Sequence, residues 1–287
     1  MRRYLILVAL ALSLTSISVL VGCTRSDGVD KNKSGKSSAS IDLHAEHRSG
    51  HGSDHGAGAD STMLMVQAEP AAPSVGQPVA LKMMIHGTKG NMVRGFEVVH
   101  EKLVHLIMVR DCLDEFAHEH PEVDDQGNLT LTHTFPKAGK YYLYADYKAK
   151  GQAASVARAE LDVRGEASTA AALVVDAPGK VAADGLVAII ELQNAKAGQE
   201  AEIQFRLTDE SGNPVNDLQP YLGARGHLVV LSADGAQYVH SHPMDKSASA
   251  NEVAFMSHFP MAGTYKGWGQ FRKAGRIHTV PFVVQVP

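Results

Sequence analysis

Histidine is the residue type in this chain that recurs with a pattern. "FAHEHP" at 116–121 and "YVHSHP" at 238–243 both carry His-x-His-Pro, so His118, His120 and Pro121 return as His240, His242 and Pro243, each 122 positions on. Side chains alternate across a strand, so two histidines two positions apart share one face. A third histidine directly opposite on a neighbouring strand lies ~4.5–5.5 Å away between Cβ atoms. Three neutral imidazoles so placed meet one divalent ion at ~2.0–2.1 Å, the Zn–N distance. All-imidazole sites suit Cu(II), Zn(II) and Ni(II), with Cu(II) favoured by raw affinity. Because the ligands must be neutral, binding is expected to weaken as pH falls through ~6.5.

The element that has to position these groups is a β-hairpin. In "HLVVLSADGAQYVHSH" (227–242), Asp234-Gly235 is a strong turn signal. With those residues at the turn, Leu231 faces Tyr238, Val229 faces His240 and His227 faces His242. In the other half, a turn centred on Cys112-Leu113 sets Ile107 against His118 and His105 against His120. The expected ligands are therefore His105, His118 and His120 in one site, and His227, His240 and His242 in another. A slip of one residue would scatter either triad over both faces. Pro121 and Pro243 are expected to end the pairing, which puts His120 and His242 at the rim. His86, His100, His133, His258 and His278 have no counterpart in the other half and read as structural. Cys112 reads as a free thiol in a turn.

The two hairpins belong to a duplication. Gly76-Gln77 matches Gly198-Gln199, Gly90-Asn91 matches Gly212-Asn213, and "HLIMV" (105–109) matches "HLVVL" (227–231), all at the same interval; "FPKAGKY" (135–141) matches "FPMAGTY" (259–265) two residues further on. Short alternating runs punctuated by Gly, Pro, Asn and Asp predict an all-β fold. The Gly-x-Tyr of Gly139/Tyr141 and Gly263/Tyr265 is similar to the tyrosine corner of immunoglobulin-like sandwiches. The expectation is two tandem immunoglobulin-like β-sandwich domains, 63–164 and 171–287, joined through "GEASTA" at 165–170, after a disordered N-terminal tether.

The first residues read as an address. Arg2-Arg3 precedes an apolar run from Tyr4 to Val21, then Leu20-Val21-Gly22-Cys23 has the layout of a lipobox. Residues 1–22 are expected to be a lipoprotein signal peptide and Cys23 the lipidated first residue. Acyl chains there would anchor the protein to a membrane. Thr24 in place of Asp leans toward the periplasm-facing outer membrane rather than the outer face of the cytoplasmic membrane. Residues 23–62 have almost no apolar content and read as a flexible tether. Within it His44, His47, His51 and His55 form a weak auxiliary chelator or a plain soluble spacer. A net charge of −4 and 6% aromatic residues give no footprint for nucleic acid. No Gly-rich phosphate loop and no nucleophile elbow occur in the sequence.

The segments "HEKLVHLIMVRDCLDEFAHEHP" (100–121), "HTFPKAGKYYLYADY" (133–147), "DLQPYLGARGHLVVL" (217–231) and "FPMAGTYKGWGQFRKAGRIHTVPFVV" (259–284) resemble bacterial exported proteins with duplicated immunoglobulin-like domains, akin to those called YtkA-like. The resemblance spans nearly all of 64–287. It implies an envelope location and a link to copper or other heavy-metal handling, carried by the six histidines named above. Three function classes follow. The first is a metal-binding lipoprotein that buffers or delivers copper, zinc or nickel, with an envelope metal-transport partner. The second is a non-enzymatic protein-interaction module of the envelope. The third is an enzyme built on a metal with three histidine ligands, disfavoured because no general base stands out beside either triad.

Overall fold

Alternation with period two runs through the chain, and it builds strands wherever it runs. In "PVALKMMIH" (78–86), Val79, Leu81, Met83 and Ile85 are buried while Lys82 and Met84 are exposed. Ala201, Ile203, Phe205 and Leu207 do the same in the second half. The computed structural model describes residues 62–287 except 88, 167–168, 170–171, 177–179 and 245–248, and except the side chain of His240. The expected signal peptide, Cys23 and the tether histidines His44, His47, His51 and His55 lie outside the described residues. Among the described residues there are seventeen strands, and no helix is long and apolar enough to cross a membrane.

The first repeat holds β1 (Met63–Glu69), β2 (Pro78–His86), β3 (Phe96–Glu97), β4 (Val104–Arg110), β5 (Phe116–Glu119), β6 (Glu122–Val123), β7 (Leu129–Thr134), β8 (Gly139–Ala149) and β9 (Ala154–Val163). The second holds β10 (Val181–Ala183), β11 (Leu186–Gln193), β12 (Gln199–Asp209), β13 (His227–Ser232), β14 (Tyr238–Met244), β15 (Glu252–Phe259), β16 (Gly263–Lys273) and β17 (Arg276–Val286). Strand order is β5-β4-β8-β9-β1-β2-β7-β6, with β3 on β8, and then β10-β11-β12-β15-β14-β13-β16-β17. Each run of strands wraps its own core as an immunoglobulin-like sandwich. Leu81, Leu106, Phe135 and Leu143 sit in one core, and Phe205, Val230, Phe255 and Phe271 in the other. The tyrosine corner is present twice: Tyr141 donates to the Lys137 carbonyl (3.0 Å) and Tyr265 to the Met261 carbonyl (2.8 Å).

Both hairpins have the register expected from the sequence. Ile107 pairs with His118, and Val229 pairs with His240. The turns are longer than two residues, however. Backbone pairing closes at Arg110–Glu115 and Ser232–Gln237, and only Leu113 (φ 58°) and Gly235 (φ 66°) take left-handed conformations. A second difference lies at the prolines. Pro243 does not end its strand: β14 runs through it to Met244, with Pro243 opposite Phe255 of β15. The reason is that β14 changes partner, pairing β13 up to His240 and β15 from Ser241 onward. Its other edge is then open, where a missing N–H is tolerated. In the first repeat the same crossing is split, β5 ending at Glu119 and β6 starting at Glu122, so His120-Pro121 lies between them.

The runs "VHLIMVR" and "HLVVLS" are buried along their whole length, as expected of strands covered on both faces. One face of each enters its own core. The other faces the opposite repeat, where Ile107, Val109, Leu113 and Tyr144 pack with Val229, Leu231 and Trp268. Phe116 stacks on Trp268 with ring centroids 4.7 Å apart, and Tyr144 donates its hydroxyl to the Gly235 carbonyl. A Cβ at Gly235 would fall 2.7 Å from a Tyr142 ring carbon, and that ring also carries the Arg158 guanidinium at 4.2 Å. Gly235→Ala is therefore expected to destabilise the protein by about 2–4 kcal/mol in urea unfolding, from left-handed strain plus overpacking. Gly212→Ala, equally left-handed but with nothing within 4 Å, carries the strain alone, about 1–2 kcal/mol.

Candidate metal centre

Three imidazoles converge where β4 meets the crossing after β5. His105 stands on β4, with Ile107 and Val109 next on the same face, which turns toward the second repeat. His118 stands on β5, and His120 follows at its end. One ring nitrogen of each lies within 4.8 Å of the other two. His105 Nδ1 is 3.0 Å from His118 Nε2 and 3.2 Å from His120 Nε2. Tetrahedral ligands at ~2.05 Å from one ion stand ~3.3 Å apart, so these separations need only small adjustment to accept one.

The outer hydrogen bonds decide which nitrogens face inward. His105 Nε2–H donates to the Val99 carbonyl (3.0 Å), which leaves the lone pair on Nδ1. His118 Nδ1–H donates to Gln270 Oε1 (2.6 Å), which leaves the lone pair on Nε2. Gln270 is oriented for this by its amide nitrogen, which donates to Thr279 Oγ1 (3.4 Å). With these tautomers His105 Nδ1 and His118 Nε2 face each other across 3.0 Å, and a cation between them would take both lone pairs. Outer-sphere bonds of this kind are what hold metal-ligating imidazoles in tautomer and orientation. Burial pushes the His118 pKa down to about 3; repulsion from His105, His120 and His227 adds to this, against the Gln270 hydrogen bond. Burial, then His105 and Lys102, pushes His120 down to about 4. Both are therefore neutral at pH 7. The proton competition expected near 6.5 moves to lower pH for the same reason.

The second triad is arranged differently. His227 is buried and donates Nε2–H to the Tyr221 carbonyl (2.9 Å), the repeat-two copy of the His105–Val99 bond. Its ring, however, lies beside the first repeat's cluster, 5.0 Å from His100 and 6.3 Å from both His105 and His118. The expected His227–His242 pairing does not form, because β14 leaves β13 after His240; His242 is exposed and pairs with Met256. The His240 side chain is outside the described residues. A cavity of about 30 Å³ between the repeats is lined by His100, His105, His118, His227, Asp146 and Tyr238, among others. That is room for about one water-sized species.

The same duplication is seen by comparison. The sequence model of a family described as "Domain of unknown function (DUF8832)" matches residues 59–165 and again 180–287. The chain belongs to the DUF8832 family. No match was found among curated protein sequences. Solved structures similar to this DUF8832 protein include invasin, a bacterial integrin-binding protein (15% identity, 77% of this chain and 39% of that one, TM-score 0.22). Domains 4 and 5 of the S-layer protein SbsC also match (12% identity, 77% and 97%, TM-score 0.20), as does the Yersinia pseudotuberculosis adhesin InvE (13% identity, 80% and 62%, TM-score 0.24). The chain spans less than two thirds of the invasin and InvE chains.

Three residues around the candidate centre escape a reading of motifs. His100 has Leu222 as its counterpart and so carries no repeat signal, yet its ring packs against His105 and His227. His100 and Leu222 share a left-handed turn, with φ 48° and 51°, and this turn supplies the Val99 and Tyr221 carbonyls. Asp146 and Gln270 stand directly opposite His105 and His227 on β8 and β16. Their signal lies in the strand that follows each tyrosine corner, whose register can be worked out as the hairpins' is. The other histidines stay apart from the centre: His133 packs on Phe135 (4.7 Å) and His278 donates to the Asp184 carbonyl (2.6 Å). Cys112 sits in its turn as a free thiol, donating to Asp114 Oδ1 (3.0 Å).

Proposed function

We propose that this DUF8832 protein is a non-enzymatic metal-binding lipoprotein of the bacterial envelope. It holds copper, or else zinc or nickel, at His105, His118 and His120, and buffers the ion or passes it to a transport partner. The observation that carries the reading is the convergence of three ring nitrogens, His105 Nδ1 lying 3.0 Å from His118 Nε2 and 3.2 Å from His120 Nε2. His227 and His100, from two sides of the cavity, are the nearest further donors. The envelope part of the proposal rests on the basic start, apolar run and Cys23 of the sequence.

The test is a titration of Cu(II) and Zn(II) into the chain with the four tether histidines replaced by alanine. One ion bound per inter-repeat centre, removable by chelator, is expected. Absence of tight binding, or equal binding in His118→Ala/His120→Ala, would sink the reading. A second reading, a protein-docking module, is favoured by Val98, a 65% exposed apolar side chain beside the turn that carries His100. Capture of the same envelope partner with and without chelator, lost in Val98→Ser, would select it.

A further inference from the structure

The outward faces of antiparallel sandwiches are ordinarily polar. On β1 and β2 this holds at one end, where Gln67 faces Lys82, and then it stops. The next outward pairs are Met65 with Met84 and Met63 with His86. Beyond β2, His86 also pairs with Met92 through an isolated bridge, so Met92 continues the same row. Met63, Met65 and Met84 are 56%, 45% and 38% exposed, while the alternate residues Leu64, Met83 and Ile85 fill the core. Three exposed methionines and the half-buried Met92 thus share one outward face with His86. The imidazole is preset: His86 Nδ1–H donates to the Gly90 carbonyl (3.2 Å), leaving the Nε2 lone pair for a ligand.

The chemistry of this set differs from that of the histidine centre. Opposed side chains start ~4.5–5.5 Å apart at Cβ, within the span of flexible methionines. Thioether sulfur is a soft ligand that selects monovalent copper over the harder divalent ions. An apolar docking face has no need of a single side-chain type, whereas every large apolar residue in this row is methionine. We propose that Met63, Met65, Met84 and Met92, gathered around His86, form a second site on this protein, one that takes a soft monovalent ion of the Cu(I) type.

The probe is Ag(I), which has the same charge and softness and no redox chemistry in water. It is titrated into the chain carrying Cys23→Ser and Cys112→Ser, with the methionine ε-methyl resonances followed by NMR. Stoichiometric Ag(I) is expected to shift the methyls of these four residues and the His86 ring. Met65→Leu/Met84→Leu, which preserves volume at exposed positions, is expected to weaken Ag(I) by at least about tenfold, the cost of even outer-sphere changes at metal sites. Zn(II) is expected to leave these methyls unmoved. Ag(I) that shifts none of the four methyls, or that binds the variant equally well, overturns the proposal. So does Zn(II) shifting the same methyls. Each outcome is independent of whether His105, His118 and His120 bind an ion, because the Zn(II) titration reports that centre separately.

Discussion

His118→Ala is expected to lower Cu(II) or Zn(II) affinity by well over the ~10–100-fold that loss of an outer-sphere partner costs. It removes one of three imidazole donors and leaves His105 Nδ1 with His120 alone. Gln270→Leu is the more telling companion. It touches no ion, but it frees the His118 ring to flip or change tautomer, so a loss of ~10–100-fold is expected from a residue of the other repeat. The pH dependence has a definite sign. Protons compete with metal only as pH falls toward the apo pKa of each ligand. Burial and neighbouring imidazoles hold His118 near 3 and His120 near 4, so both are neutral at pH 5, where a solvent-exposed histidine is protonated. A chain loaded at pH 7 is thus expected to keep its ion at pH 5, as read by equilibrium dialysis, while ions held by the tether histidines are released. Half-release near pH 6.5 would contradict the buried, tautomer-set centre, and unchanged affinity in Gln270→Leu would remove its outer sphere.

Asp114→Asn is expected to destabilise the protein by about 3 kcal/mol in urea unfolding. Arg110 is 3% exposed and its charge is met by the Asp114 carboxylate: Nε donates to Oδ1 (2.6 Å) and Nη2 to Oδ2 (2.7 Å), while Nη1 donates to the Ala138 carbonyl (2.9 Å). Lys137 adds a further cationic contact at 3.1 Å. Taking away the carboxylate charge breaks a two-point ion pair at a buried guanidinium, which costs far more than an exposed ion pair is worth. Burial would raise the Asp114 carboxyl, but the hydrogen bonds from Arg110, Cys112 and Lys137 outweigh it and hold the pKa well below the ordinary range. The native value is the depressed one, so the stabilisation is present above the unfolded pKa of ~3.9 and is lost as pH falls below it. The gap between wild type and Asp114→Asn should therefore narrow by about 1 kcal/mol between pH 7 and pH 3. An equal gap at both pH values would show that the carboxylate charge is not what holds Arg110. The second repeat has no such pair, because Ser232 and Ala236 occupy the matching positions.

Much of this protein is written locally. The Asp234-Gly235 turn and the alternation in "HLVVLSADGAQYVHSH" determine the pairing of Val229 with His240, since a turn sets register and period two sets the face. The same logic places His105 and His118 on one face of β4 and β5, and the two-fold match of landmarks announces the paired sandwiches. Where β14 parts from β13 is not local. It depends on β15 offering a free edge in the opposite layer, and that parting is what separates His227 from His242. The destination of His227 is further still from the sequence. It reaches the first repeat's cluster only because the outer faces of β4 and β13 cover each other through Ile107, Val109, Val229 and Leu231. Unbroken apolar runs say that a strand is buried on both sides. They do not say what buries it, because the hydrophobic effect is non-directional and the choice of partner face comes from the shapes of two finished sandwiches. Two separate triads are the natural expectation of a duplicated motif; packing of the duplicates draws one centre between them.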